Sequence, residues 1–358
     1  MQPTNFDTPL QIDPAPRIER APQVDGASFL THLAAELDLL ELGRAGILVG
    51  VSGGADSVSL LRGLHALVEP ARVHVVAAHL NHAMRRVAAD DDAAWIAELC
   101  RRLSIPVVVE KIDVPAYAAE RRLNIEEAAR TVRYEFFVRA ARAHGCTHIA
   151  AAHTADDQVE TVLHHLFRGT GLAGLRGMRP ARPLAQGLTL VRPLLRIRRA
   201  EIEAWLSDIG QEFRTDATNA DESRTRNRIR HSVLPALERE LGTPIRDSLL
   251  RMAEQASELQ STLEILAERL FNQCLEDETP DLVRLNAELL EDQPRHLVRE
   301  VFVFLWKRKG WPRQAVGFDD WDRLANLVSV GGSATLPGNI NATRRGKLLV
   351  IRTGAAHR

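Results

Sequence analysis

Cysteine is scarce in this 358-residue chain, and the three present, Cys100, Cys146 and Cys274, lie far apart with no Cys-x-x-Cys pair. That spacing argues against a cysteine-ligated zinc or iron–sulfur site. Sparse cysteine suits a reducing cytoplasm, which is the expected location. Long apolar runs are missing too. None approaches the roughly 18 residues of a membrane span, so no membrane is expected as a partner. Residues 1–25 are rich in proline and have no apolar h-region, so they read as a disordered tail rather than a signal peptide. Net charge is also lacking: the formal value is −1, which gives no overall hint of nucleic acid. The first lysine is Lys111, so no Walker-type lysine stands in any phosphate loop before it.

What is present begins at Ile47–Val51, an apolar run with the look of a buried parallel strand. Ser52-Gly53-Gly54 breaks it, and a helix is expected from Asp56. A strand, a glycine turn and a helix N-terminus make an anion site, because backbone N–H groups are unpaired there and the helix dipole adds positive charge. Adjacent glycines let the backbone approach a phosphate, and Ser52 and Ser57 add hydroxyls. Asp56 would repel a bare phosphate; it makes sense with Mg²⁺ between them. A plain glycine turn is the bland alternative. A second glycine pattern, Gly169 to Gly174, follows a helical stretch and lacks a ribose-reading acid about 20 residues on, so it reads as a flexible loop.

Strand and helix signals alternate. Strands are expected at 46–51, 72–79, 106–110, 147–152 and 188–191, and helices at 30–42, 56–68, 90–103, 126–143, 156–167 and 199–209. This is the pattern of an α/β fold with a doubly wound parallel sheet, whose ligands bind outside the carboxyl ends of the strands. Asn124 with Glu127 has the form of a capped helix start. Beyond residue 234 the composition shifts. Residues 245–278 read as long helices with eight acidic and three basic side chains, and residues 281–358 carry thirteen basic and eight acidic ones. The expected organisation is a tail at 1–25, a catalytic domain at 26–236, a helical connector at 237–280 and a small α+β domain at 281–358. We find no internal repeat.

Three constellations carry chemistry. On the helix after His153, Val159, Val162, Leu163 and Leu166 form an apolar stripe, and Asp157, Glu160, Thr161 and His164 the opposite polar face. A carboxylate there can hold Mg²⁺, accept a proton or bind an ammonium group. Asp156 has a simpler reading as an N-cap. His79 and His82 sit at a strand end where ligand contact is expected, whereas His144 and His148 read as surface residues; with no third clustered ligand, zinc is rejected. Arginine is the third feature: Arg168 to Arg199 holds eight arginines and no acid, and Arg224 to Arg230 holds four more. The guanidinium fork suits phosphate, so a polarised nucleic-acid face is expected. Near the second group Asp216, Asp221 and Glu222 allow an ordinary solvated face instead.

Taken together these segments resemble the tRNA(Ile)-lysidine synthetase family within the N-type ATP-pyrophosphatase (PP-loop) superfamily. The resemblance spans most of residues 45–236. It rests on Ser52–Ser57, His79–Arg85, Glu126–Arg130 with Arg133-Tyr134, His153–Thr161, Leu166–Leu175, Arg192–Leu195, Thr215–Asn219 and Arg226–Arg230. It implies an enzyme that adenylates C2 of the wobble cytidine of CAU-anticodon tRNA(Ile) with ATP and Mg²⁺, releases pyrophosphate, and then joins free L-lysine to C2. It implies catalytic roles for Asp56, Arg130, Arg133, His153 and Asp157. Ser52, Gly53, Gly54, Ala55, Asp56, Ser57 and His79 would bind ATP, Asp56 and Asp157 Mg²⁺, and Asp157 and Glu160 lysine. Arg168, Arg176, Arg192, Arg226, Arg228 and Arg230 would meet tRNA, the small C-terminal domain would help recognise it, and a homodimer is left open. Ala217 stands where the family often has proline, and Ala155 where it often has leucine. A tRNA thiolase of the same superfamily and a non-catalytic RNA-binding relative are the alternatives.

Overall fold

The computed structural model describes residues 26–42, 46–67, 73–83, 86–214, 225–313 and 315–354. The expected tail at 1–25 and the polar loop at 215–219 lie outside the described residues, as do Met84 and Arg85. In chain order the elements are α1 Gly26–Leu39, β1 Ile47–Gly50, α2 Ala55–Leu67, β2 Val75–Asn81, α3 Arg86–Arg102, β3 Val107–Lys111, α4 Val114–Arg121, α5 Ile125–Ala143, β4 His148–Ala150 and α6 Ala155–Phe167. There follow α7 Leu172–Leu175, β5 Ala181–Ala185, β6 Leu188–Val191, α8 Arg199–Asp208, α9 Thr225–Arg228, a π-helical turn Ile229–Val233, α10 Leu234–Leu241 and α11 Ile245–Cys274. The chain continues with β7 Leu275–Thr279, β8 Leu282–Asn286, α12 Glu288–Glu291, α13 Arg295–Lys309, α14 Phe318–Val330, β9 Gly332–Leu336, β10 Ile340–Arg345 and β11 Leu348–Thr353. No described helix is long and apolar enough to cross a membrane.

The chain divides into two compact units. The first holds the described residues up to Thr154 together with Pro180 to Arg214. Its sheet has the order β3-β2-β1-β4-β6-β5, parallel except for the antiparallel edge strand β5. Strand residues alternate between two apolar cores, as a two-residue period requires. Ile47, Val49, Ala77 and Ala150 face a core filled by Phe29 and Leu33 of α1, Leu61 of α2 and Trp205 of α8. Leu48, Val76, Ala78 and Ile149 face the other, filled by Val132, Phe136 and Phe137 of α5. The sheet is therefore doubly wound. Gly50 permits the second packing: a Cβ there would lie 2.6 Å from the Phe137 ring.

The order of strands places the functional edge. From β1 the chain winds outward through β2 to β3, then returns to pair β4 on the other side of β1. Such a reversal opens a crevice at the carboxyl ends of the two central strands. Ser52 follows β1 and His153 follows β4, so both stand at that edge.

The second unit holds Ala155–Arg179 and the described residues from Thr225 onward. Here α6 packs with α7, α9 and α11, and its Val159 and Leu163 share a small core with Ile229 and Leu234. The antiparallel sheet β7-β8-β11-β10-β9 lays one face on a core of α11, α13 and α14. Trp306 is fully buried at its centre, with Trp311 and Trp321 edge-on to it at ring distances of 4.9 and 5.2 Å.

Two expectations change here. Residues 245–278 are one helix of 30 residues followed by strand β7, not helix throughout. β7 is an edge strand, where acidic side chains such as Glu276 and Asp277 are tolerated because they face water. The Gly169–Gly174 segment is not a slack loop. It contains α7, and α6 braces it: His165 Nδ1 lies 2.8 Å from the Gly174 carbonyl, and the Gln158 amide donates to the carbonyls of Arg176 and Met178 while accepting from Met178 N–H.

Candidate active site at the carboxyl edge of the sheet

The loop from Ser52 to Ser57 is shaped by its own hydrogen bonds. The Ser57 hydroxyl donates to the Gly54 carbonyl at 3.0 Å and accepts from Ser52 N–H at 3.1 Å. Its single proton is thereby used, so the Ser52 hydroxyl, 3.2 Å away, directs its proton to Ser57 and keeps its lone pairs outward. Gly53 takes φ +91°, a conformation that side chains disfavour. Arg214 N–H donates to the Gly53 carbonyl at 2.9 Å and its guanidinium reaches Asp92 at 3.0 Å, so a residue far along the chain holds the turn from outside. The first amides of α2 have no acceptor within their helix, which leaves a donor-lined anion site.

Asp56 opens α2 on this loop and is held by Arg199, the first residue of α8. The guanidinium contacts Oδ2 at 2.7 Å and Oδ1 at 3.3 Å, a two-pronged pair with both partners about a quarter exposed. Sequence reasoning does not single out Arg199. Its only sequence signal was its place at the end of the acid-free arginine stretch; its partner lies 143 positions away. The two oxygens of the Asp56 carboxylate are hard donors, of the kind Mg²⁺ takes together with substrate phosphate oxygens.

Two histidines close the neighbouring strand. His79 Nδ1 donates to the Val51 carbonyl at 2.8 Å, which leaves Nε2 as an acceptor; that atom is buried and has no partner among the described residues. His82 Nε2 accepts from Arg133 at 3.4 Å, so its proton sits on Nδ1, also buried and without a partner among the described residues. One unsatisfied acceptor and one unsatisfied donor three residues apart are groups that a bound ligand would satisfy. Burial lowers the His79 pKa, and burial with the charge of Arg133 holds His82 down at about 4. Both stay neutral in the folded protein where the unfolded chain binds a proton. Stability is therefore full above about pH 6.5 and falls as pH drops toward about 4. Melting temperatures between pH 7 and pH 4 should decline, and His82→Asn should shallow the decline; an unaltered slope would remove His82 from the account.

In the second unit, Asp157 and Glu160 are joined by one arginine. Arg230 reaches Glu160 at 2.5 Å through Nε and Asp157 at 3.2 Å through Nη2. It stands in the π-helical turn, next to Leu234-Pro235, where proline removes a helix donor and local rewinding is common. The polar face of α6 is less open than expected: Glu160 and Thr161 are each 4% exposed, while Asp157 is half-buried. Asp156 pairs with Arg246 at 3.2 Å.

The expected RNA-facing arginines divide. Arg168, Arg226 and Arg228 are exposed. Arg230 is engaged as described. Arg176 joins Arg179 and Lys307 on Glu264, which holds that carboxyl down at about 2 despite its burial. Arg192 is not on a surface at all, being 4% exposed. Arg130 is exposed on α5, and its guanidinium lies 5.3 Å from the Tyr134 ring centre. Arg133 is at His82, and His153 is half-buried beyond β4.

Comparisons with known proteins agree with this geometry. The profile of the PP-loop domain matches residues 28–237. A tRNA(Ile)-lysidine synthase from Rhodopirellula baltica is 33% identical over 315 residues, 79% of each chain. One from Geobacter sulfurreducens is 36% identical over 83% of this chain and 63% of its own, and one from Deinococcus radiodurans 44% identical over 66% and 38%. The chain thus spans less than two thirds of several of the relatives it matches. Among solved structures, the U34-tRNA thiolase NcsA from Methanococcus maripaludis with its [4Fe-4S] cluster superposes with a TM-score of 0.52 at 15% identity, covering 65% of this chain and 80% of that one, which is a likeness of fold. The chain belongs to the PP-loop ATP-binding superfamily and, within it, to the tRNA(Ile)-lysidine synthase family.

Proposed function

We propose that the chain joins free L-lysine to C2 of the wobble cytidine in tRNA(Ile) bearing a CAU anticodon, at the expense of ATP. The observation that carries this reading is the donor-lined loop Ser52–Ser57 with a carboxylate, Asp56, at the same helix start. The C2 oxygen attacks the α-phosphorus and pyrophosphate leaves; the lysine ε-amine then attacks C2 and AMP leaves.

The loop amides hold the β- and γ-phosphates as negative charge grows on them, and the Ser52 and Ser57 hydroxyls hold the loop in that shape. Asp56 would hold the Mg²⁺ that offsets this charge, and Arg199, already at that carboxylate, is placed to follow the leaving group. His79 Nε2 supplies an acceptor for the nucleotide. Asp157 and Glu160 are assigned the lysine ammonium, with Arg230 balancing their charge. His153 and Asp157 are assigned the proton that the amine must lose before it can attack. Arg130 and Arg133 steady phosphate or the adenylated base.

The three cysteines lend no support to sulfur transfer. Each is buried in a different core, and burial pushes the Cys100 and Cys274 thiols up to about 11, so neither is a thiolate at neutral pH. The test is incubation with ATP, Mg²⁺, labelled lysine and CAU-anticodon tRNA(Ile). Label should enter RNA with one AMP and one pyrophosphate per lysine. RNA without label would defeat the reading, and sulfur incorporated in its place would indicate a thiolase.

A further inference from the structure

The loop between β1 and α2 has two consecutive glycines, so the peptide that joins Gly53 to Gly54 has no Cβ on either side. Such a peptide turns about its flanking bonds with little steric cost. Which way it faces matters to an anion. A trans peptide is planar, and its C=O and N–H point in opposite directions; no described peptide is cis. One orientation offers a bound phosphate the Gly54 N–H. The other offers it the Gly53 carbonyl oxygen and repels it.

The hydrogen bonds inside the loop leave this choice open. The Ser57 hydroxyl binds Ser52 N–H and the Gly54 carbonyl, which belong to other peptides. Arg214 closes it. Its N–H donates to the Gly53 carbonyl at 2.9 Å. Its side-chain stem covers the turn: Cβ and Cγ stand 3.6 and 3.5 Å from the place a Cβ on Gly53 would occupy, and Ile96 of α3 stands 3.6 Å from it. Its Nε donates to Asp92, also on α3, at 3.0 Å. All of these residues belong to the first unit. Two elements outside the loop, α3 and the chain leaving α8, therefore fix the point to which the carbonyl is drawn. The Gly54 N–H faces away from Arg214, and it has no acceptor among the described residues.

We propose that Arg214 is a positioning residue for the pyrophosphate group of ATP. By holding the Gly53 carbonyl it keeps the Gly54 N–H turned to the phosphates before they arrive, and Asp92 holds Arg214 in place. Arg214 acts through the loop and not on the phosphates. This role presumes that Ser52–Ser57 is the ATP phosphate site. One net hydrogen bond biases a two-state orientation by about twofold to tenfold. A bound phosphate restores the bias, so loss of the clamp raises the apparent dissociation constant by that factor and leaves turnover at saturation unchanged.

The test uses the full chain, with inorganic pyrophosphate and Mg²⁺ as the binding probe and ATP in RNA-dependent pyrophosphate release. Arg214→Pro deletes the N–H. The Kd for pyrophosphate and the KM for ATP should each rise about threefold to tenfold, with kcat within about twofold of wild type. Arg214→Ala keeps the N–H and loses the tie to Asp92, so the rise should be smaller, and Asp92→Ala should match it. A damaged fold would act differently, lowering kcat through a smaller active fraction while KM stays. In the wild-type chain, which carries no substitution to unfold it, the Gly54 amide proton should move downfield when pyrophosphate binds, and the Arg214 amide should stay slow to exchange with solvent. Unchanged Kd and KM in Arg214→Pro would overturn the proposal, as would a fall in kcat alone or a Gly54 amide that ignores pyrophosphate. No pyrophosphate binding by wild type would defeat the reading of the loop and this role together. Pyrophosphate binding with a responsive Gly54 amide, but no lysidine formed, would defeat the proposed function and leave this role standing.

Discussion

Asp56→Asn should abolish RNA-dependent pyrophosphate release, with a fall of ~10³-fold or more at saturating Mg²⁺. The substitution keeps the shape of the side chain and removes the charge that a divalent ion needs. It also removes the partner of Arg199, whose guanidinium contacts both carboxylate oxygens in the wild-type chain. Because both groups are partly exposed, the cost to folding should be small, about 1 kcal/mol or less. Activity and stability therefore separate: the melting curve barely moves while turnover disappears. Arg199→Gln distinguishes the two partners, since it leaves the carboxylate in place and should raise the Mg²⁺ requirement less than Asp56→Asn does. Pyrophosphate release by the Asn variant at a rate near wild type would remove Asp56 from the chemistry.

Arg230→Met should do the reverse and damage folding first. Glu160 is nearly inaccessible, and Arg230 contacts it through Nε. Breaking a buried pair on one side leaves an uncompensated charge and typically costs about 3–5 kcal/mol. Denaturant unfolding should show that loss, and Glu160→Gln introduced together with Arg230→Met should recover much of it. Such recovery is a coupling that a double-mutant cycle measures directly. A loss under ~1 kcal/mol for Arg230→Met alone would mean that water or another side chain reaches Glu160. The double variant should fold yet not use lysine, because the acidic pair that would receive the ammonium group is gone.

Much of the first unit was legible in the sequence for a simple reason. Its central strands are mainly apolar, since both faces of a parallel sheet are covered, and glycine or a polar residue ends or follows each one. Two edge strands, β5 and β7, were not legible. β5 reads Ala-Arg-Pro-Leu-Ala, and β7 carries three consecutive acids; both compositions argue against a strand and are tolerated only where one side has no neighbour. Charge pairing was not legible for a related reason. Arginine with no acid nearby in the chain suggests a nucleic-acid face, but Arg176 meets Glu264, 88 positions away, and Arg199 meets Asp56, 143 away. The same applies to the basic end of α13: Lys307 is committed to Glu264, and Arg308 and Lys309 to Glu278. Local sequence reports which side chains are charged, while neutralisation is settled by the fold.

The cluster of Trp306, Trp311 and Trp321 has a practical consequence. Indoles held edge-on within 5.2 Å or less couple their electronic transitions, and such coupling gives a paired signal in near-ultraviolet circular dichroism that a lone indole does not. All three belong to the second unit, whereas Trp205 of the first is stacked on Phe29. Disappearance of the paired band would time the melting of one unit independently of the other, in the unmodified protein and without a label.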